Sequence, residues 1–237
     1  MIIIADAHID EACGSHTDFF RMLHALENND HDVVFLGDIF DLWIALPRYE
    51  KNSHRQFLSW CQEQKSHRSI GFIEGNHEYY VAQEKQNYFS WCSDSARWQD
   101  NNGNLFCHGD QINRYDKNYL RFRRLAKNKI MKSFLRYLPF GPSIGELLKI
   151  LLKKTNLEFR KRLPKAEITR FADERFSDGV HTIFVAHFHQ GYLYRSVEDR
   201  ALYILPGWLR SKHVTVYDMD SKRVSYHHWQ EFARGIR

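Results

Sequence analysis

Val33-Val34-Phe35-Leu36-Gly37-Asp38-Ile39-Phe40-Asp41 decides the fold: an apolar run of strand character passes directly into a glycine and two acids. Such a run suits a strand buried on both faces, and polar groups at its carboxyl end lie where open α/β sheets carry their sites. The same grammar recurs four times. Ile2-Ile3-Ile4 precedes Asp6-Ala7-His8, and Ile70 to Ile73 precedes Gly75-Asn76-His77-Glu78. Leu105-Phe106-Cys107 precedes His108-Gly109-Asp110, and Ile183-Phe184-Val185 precedes His187-Phe188-His189. Alone, an Asp-x-His or His-x-His is usually a capped turn or a surface pair. Five clusters in order, each behind a strand and with small residues where backbone must approach an ion, point instead to a metal centre. Hard divalent cations take carboxylate oxygen, amide oxygen and neutral imidazole, and two of them about 3.5–4 Å apart need roughly seven such groups.

The stretches between the runs read as helices over about 17–28, 53–66 and 79–92. Beyond residue 180 short strands dominate, at about 181–186, 191–196, 201–205, 213–218 and 222–228. An alternating first half and a strand-rich second half predict an α/β fold of two packed mixed β-sheets flanked by helices. With 237 residues and 43% apolar content the chain can bury a sizeable core, and no composition shift divides it, so residues 1–237 read as a single domain. Cys13, Cys61, Cys92 and Cys107 show no clustered spacing, which predicts reduced thiols and a cytoplasmic setting. Strand begins almost at once and Asp6 interrupts it, a pattern for which no signal peptide is expected, and no apolar run reaches the ~18 residues of a spanning helix.

Residues 117–175 form a basic insert with 17 Lys and Arg against Glu146, Glu158, Glu167, Asp173 and Glu174, a net of +12 in a chain of net +5. The rest of the chain is therefore acidic. Tyr119, Phe122, Ala126, Ile130, Phe134 and Leu138 recur at helical spacing among basic residues until Pro139 ends the pattern, and Ile144 to Leu152 reads as a second helix. The plain reading is a solvated basic face packed on the sheet. The functional reading is a helical cap over the metals, with an apolar side for an acyl chain and charges for an anionic membrane surface on the cytoplasmic face of the inner membrane. His16, His24, His31, His54, His67, His181, His213, His227 and His228 read as surface or core residues, and Trp43 as a candidate pocket wall.

Taken together, D-x-H, G-D-x-x-D, G-N-H-E, H-G-D and A-H-x-H over residues 6–189 resemble the calcineurin-like metallophosphoesterases. That resemblance implies a four-layer αββα sandwich with two divalent ions, one held by Asp6, His8, Asp38 and His189, the other by Asp38, Asn76, His108 and His187. It further implies a bridging water that attacks phosphorus in line as hydroxide, His77 as leaving-group acid oriented by Glu78, and Asp41 and Asp110 as supports for the ligating imidazoles. Ala186 stands where many members carry glycine. Gly37-Asp38-Ile39-Phe40-Asp41-Leu42-Trp43-Ile44 and the run His108-Gly109-Asp110, Asp116, Tyr119, Phe122, Arg123 are similar to the UDP-2,3-diacylglucosamine pyrophosphohydrolases of lipid A synthesis. Those enzymes release UMP and a diacylglucosamine 1-phosphate and usually depend on manganese, which implies two manganese ions here, with iron or zinc as alternatives. By that resemblance Asp116, Tyr119 and Arg123 bind the lipid-linked UDP-sugar. Where many of those relatives have arginine this chain has His77, which can donate a proton and so favours ordinary phosphoesters as well. Two other readings stand beside this one: a general phosphoesterase acting on nucleotides or nucleic acid, and a non-catalytic scaffold, whose signature of missing ligands the chain lacks.

Overall fold

The computed structural model describes residues 1–11, 14–94, 97–143, 145 and 163–235. The six-stranded sheet has the order β13-β12-β1-β2-β4-β6. β1 (Ile2–Ile4), β2 (Val33–Phe35), β4 (Ile70–Ile73) and β6 (Trp91–Ser93) run parallel, while β12 (His213–Asp218) and β13 (Arg223–His228) join antiparallel. A five-stranded sheet follows the order β10-β11-β9-β8-β7. In it β8 (Asn104–Cys107), β9 (Thr182–Val185) and β11 (Ala201–Ile204) are parallel, and β7 (Arg97–Gln99) and β10 (Tyr192–Arg195) close its edges antiparallel. A small parallel pair joins β3 (Trp43–Ile44) to β5 (Glu78–Tyr79).

The alternation of side chains along each strand builds the layers. Ile3, Val34 and Leu36 meet Phe106, Phe184 and Tyr203 between the two sheets. Ile2, Ile4, Phe35 and Phe72 point the other way and pack on α1 (Ser15–Leu26) and α2 (Asn52–Gln64) through Phe19, Leu23 and Phe57. On the far side Leu105, Ile183 and Leu202 cover α6 (Lys165–Ser177) through Ile168, Ala172 and Phe176. Helix, sheet, sheet and helix thus stack in four layers, as expected. The strands carry apolar residues on both faces because both faces are covered.

Three expectations change. Residues 79–92 are no single helix: Tyr79 ends β5, α3 occupies only Val81–Glu84, a turn of 3₁₀ helix spans Gln86–Tyr88, and β6 follows. The helical pattern from Tyr119 to Leu138 is two helices, α4 (Lys117–Ala126) and α5 (Lys129–Tyr137), because Asn128 interrupts it and accepts from the Met131 N–H at 2.7 Å as a new N-cap. The expected helix over Ile144 to Leu152 and the basic residues Lys149, Lys153, Lys154, Arg160, Lys161 and Arg162 lie outside the described residues. Trp43 is fully buried against Phe40, His54, Phe57 and Phe72, so it belongs to the core and lines no pocket. Cys61, Cys92 and Cys107 are free thiols. No helix among the described residues is long and apolar enough to cross a membrane.

Candidate metal centre

Every polar cluster leaves the carboxyl end of its strand and turns at once. The turns are strained: φ is +50° at Asp6, +43° at His8, +52° at Asp38, +69° at His187 and +54° at His189. L-residues avoid this left-handed region, which costs on the order of 1–3 kcal/mol each, and glycine cannot relieve it where a ligating side chain is needed. Ala186 is not among the described positive-φ residues, so its methyl is accommodated. Glycine serves instead where backbones meet. A Cβ at Gly37 would stand 2.5 Å from His108 Nδ1 and 2.8 Å from Gly75 Cα, and one at Gly75 would overlap Asp38 Oδ1.

The seven expected ligand residues converge. Atoms of Asp6, His8 and His189, of His8, Asp38 and His77, and of Asp38, His108 and His187 form three groups, each within 4.8 Å. Asp38 belongs to two of them and turns one oxygen to each side. Its Oδ2 is 3.7 Å from His8 Nε2 and 3.8 Å from His77 Nε2, and its Oδ1 is 3.4 Å from His108 Nε2. Asn76 Oδ1 lies 3.0 Å from both His108 Nε2 and His187 Nδ1. The ring nitrogens turned away from the centre are fixed by carbonyls: His108 Nδ1 donates to Leu36 at 2.9 Å, and His77 Nδ1 to Asp41 at 2.6 Å. Such bonds set the tautomer, leaving His108 Nε2 for an ion and turning His77 Nε2 toward Asp38.

Charge in this cluster is tightly matched. Asp6 and Asp38 are buried, which penalises their ionised forms, and Asp6 is pushed up to about 8. Asp38 is likewise opposed by burial, yet the adjacent His108 and His77 hold it well below the usual carboxylate range. Burial also opposes charge on His108, but Asp38 and Asp6 outweigh it and raise the imidazole to about 10. Burial and the His108 charge lower His187 to about 4. Without an ion, protons on Asp6 and His108 balance the buried carboxylates, and divalent cations can replace those protons. Two carboxylates, one amide oxygen and four imidazoles, with Asp38 offering one oxygen to each side, fit a pair of such ions.

The contacts of Glu78 and Asp110 differ from the expectation. Glu78 does not orient His77: its carboxylate accepts from the Asp38 N–H at 2.8 Å, Ile39 at 2.7 Å, Phe40 at 3.3 Å and Gly75 at 2.8 Å, and so shapes the turn that presents Asp38. The group that holds the His77 ring is the Asp41 backbone carbonyl. Asp110 turns Oδ2 to the insert, where it accepts from Tyr119 Oη at 2.5 Å and Arg123 Nε at 2.6 Å, so both of those groups are engaged within the protein. Asp116 caps α4 by accepting from the Tyr119 N–H at 3.0 Å. Sequence reasoning overlooked Gly207, whose Cβ would stand 2.8 Å from His189 Nδ1, and Glu74, which binds Lys127 Nζ at 3.0 Å beside the Asn76 turn. Neither lies in a recognisable metal motif.

The sequence profile of the calcineurin-like phosphoesterases matches residues 1–217. The chain belongs to that family. It is accordingly a metal-dependent phosphoester hydrolase, built on divalent ions. A UDP-2,3-diacylglucosamine hydrolase of Pseudomonas putida is 24% identical over 217 residues, covering 84% of this chain and 85% of the relative. One from Pseudomonas savastanoi pv. phaseolicola is 24% identical over 238 residues, with 92% of each chain covered. A solved dimetal phosphatase of Danio rerio aligns over 90% of this chain and 91% of its own, at 13% identity and a TM-score of 0.45.

Proposed function

We propose that this phosphoesterase cleaves the diphosphate of UDP-2,3-diacylglucosamine to UMP and 2,3-diacylglucosamine 1-phosphate, with two manganese ions held by Asp6, His8, Asp38, Asn76, His108, His187 and His189. The observation that carries the reading is the insert. It is anchored on the ligand turns through Asp110 and Glu74, yet it exposes Phe122, Leu125, Ile130, Phe134, Tyr137 and Phe140. A small soluble phosphoester has no use for such a surface, whereas acyl chains do. The names of the two Pseudomonas relatives agree with it.

Bound ions supply positive charge to the phosphate oxygens and lower the pKa of water. The protein supplies position and a proton. His77, with Nδ1 donating to the Asp41 carbonyl, presents Nε2 toward the Asp38 side of the centre, from which it protonates a leaving oxygen. Asp116 meets the sugar from the start of α4. Tyr119 and Arg123, engaged by Asp110, act through the placement of α4. The basic side of the insert meets anionic lipid at about 1 kcal/mol per Lys or Arg, so the protein should float with anionic vesicles and not with neutral ones; equal flotation with both would remove that contact.

A second reading, a general phosphoesterase acting on nucleotides or nucleic acid, is favoured by His77, since alkoxide leaving groups need the proton it can give. Comparison of kcat/KM for the acylated and the deacylated UDP-sugar separates the two. We expect the acylated substrate to react far faster, because binding of the remote chains positions the diphosphate. A ratio near one would leave only the general phosphoesterase.

A further inference from the structure

Two buried carboxylates outside the ligand set are committed to the insert. Asp110, two residues past His108, is fully enclosed and takes both Tyr119 Oη and Arg123 Nε on Oδ2, at 2.5 and 2.6 Å. Its Oδ1 is buried without a hydrogen-bond partner. Glu74, two residues before Asn76 and equally enclosed, accepts from Lys127 Nζ at 3.0 Å. The same ammonium donates to the Gly75 carbonyl at 2.8 Å, directly before Asn76. Tyr80 Oη adds a bond of 2.5 Å to the Ala126 carbonyl at the end of α4. Tyr119, Arg123 and Lys127 stand four residues apart, so they form one stripe along α4 and its C-cap.

The two turns touched by this stripe serve the same half of the centre. Asn76 and His108 approach each other at 3.0 Å and share His187. Asp6, His8 and His189 are placed within the body of the fold: the Asp6 carboxylate accepts from the His187 N–H at 2.9 Å, the His8 N–H donates to the Asp38 carbonyl at 2.9 Å, and Gly207 backs His189. Breaking either buried ion pair would strand a carboxylate out of water, so α4 and both turns hold together as one unit.

We propose that α4 is a positioning strut for the half-site of Asn76, His108 and His187, and that seating of the insert and ion occupancy of that half-site reinforce each other. Tyr119, Arg123 and Lys127 are positioning residues here. They set the separation of the Asn76 and His108 turns and reach the Asp6, His8 and His189 side only through the shared Asp38. Reciprocity is required: whatever α4 adds to ion affinity, the ion adds to the seating of α4. The inference rests on the two-ion reading of the centre.

Calorimetric titration of the chelator-treated full chain with Mn²⁺ tests it without any substrate. Wild-type protein should show two binding events. Lys127→Met and Arg123→Met should each weaken one event by roughly 10–100-fold and leave the other in place, the range seen when supports of metal ligands are removed. Arg136→Met, which breaks an ion pair between α5 and Glu84 away from the ligand turns, should change neither. Mn²⁺ should also slow chymotryptic cleavage of the insert in wild type and lose that effect in Lys127→Met. Should Arg123→Met fail to fold, Lys127→Met decides alone. Equal weakening of both events, or of neither, in a folded Lys127→Met overturns the strut. Fewer than two events in wild type would refute the two-ion reading itself.

Discussion

His77 has its Nδ1 proton occupied by the Asp41 carbonyl and its Nε2 3.8 Å from Asp38, so Nε2 is the nitrogen that faces the centre. If it protonates the leaving group, His77→Ala should lower kcat about 10²–10⁴-fold for substrates with poor leaving groups and far less for p-nitrophenyl esters. Equal losses on both would assign it a positioning role. The buried acids and His108 give a second expectation. Burial holds Asp6 up at about 8 and Glu78 up at about 7, and His108, opposed by burial but held by Asp38, is raised to about 10. Between pH 6.5 and 8 the folded chain holds protons on Asp6 and His108 that the unfolded chain has released, and Glu78 gives its own up as pH passes about 7, so stability falls as pH rises. His187, lowered to about 4, contributes stability that is gained below this window and is nearly complete within it. Chelator-treated protein should therefore have a lower Tm at pH 8 than at pH 6.5. Saturating Mn²⁺ should offset the loss, since ions replace those protons. A Tm that rises over this window without metal would contradict the charge pattern.

At the scale of elements, the strand ends were legible because each apolar run stops at a polar cluster, a pattern that needs no partner to be read. What stayed hidden depends on tertiary contacts. Glu78 looks like the group that orients His77, but four backbone N–H groups from two turns capture it. Tyr79, Tyr80 and Val81 resemble the start of a helix, yet Tyr79 pairs in β5 and Tyr80 sits at φ +66°. Asn128 lies inside a helical pattern and still ends it, because its side chain accepts from the Met131 N–H and caps a new helix. Gly37 shows how closely strand and turn are fitted. At φ +84°, with a Cβ falling 2.5 Å from His108 Nδ1, Gly37→Ala should cost roughly 1–3 kcal/mol in stability through backbone strain. Displacement of His108 should weaken metal binding as well. Unchanged Mn²⁺ affinity and Tm in this variant would show that the approach of the turn to His108 is not required.

Across the whole molecule, two sheets back to back bring the ends of β1, β2 and β4 from one layer against those of β8 and β9 from the other, so residues as distant as Asp6 and His187 bond directly. The four-layer stacking and the ligand set could be read from sequence because both follow from strand periodicity and donor chemistry. The anchoring of the insert could not, because Asp110 and Glu74 meet Arg123 and Lys127 only in the folded chain. On the two-ion reading, Asp38 is the one carboxylate that would serve both ions. Its oxygens face His8 and His77 on one side and His108 on the other. Elemental analysis of purified wild type and Asp38→Ala, both checked by circular dichroism, tests this directly. About two metal ions per chain are expected in wild type and near none in the folded variant; retention of both ions by Asp38→Ala would rule out a shared Asp38.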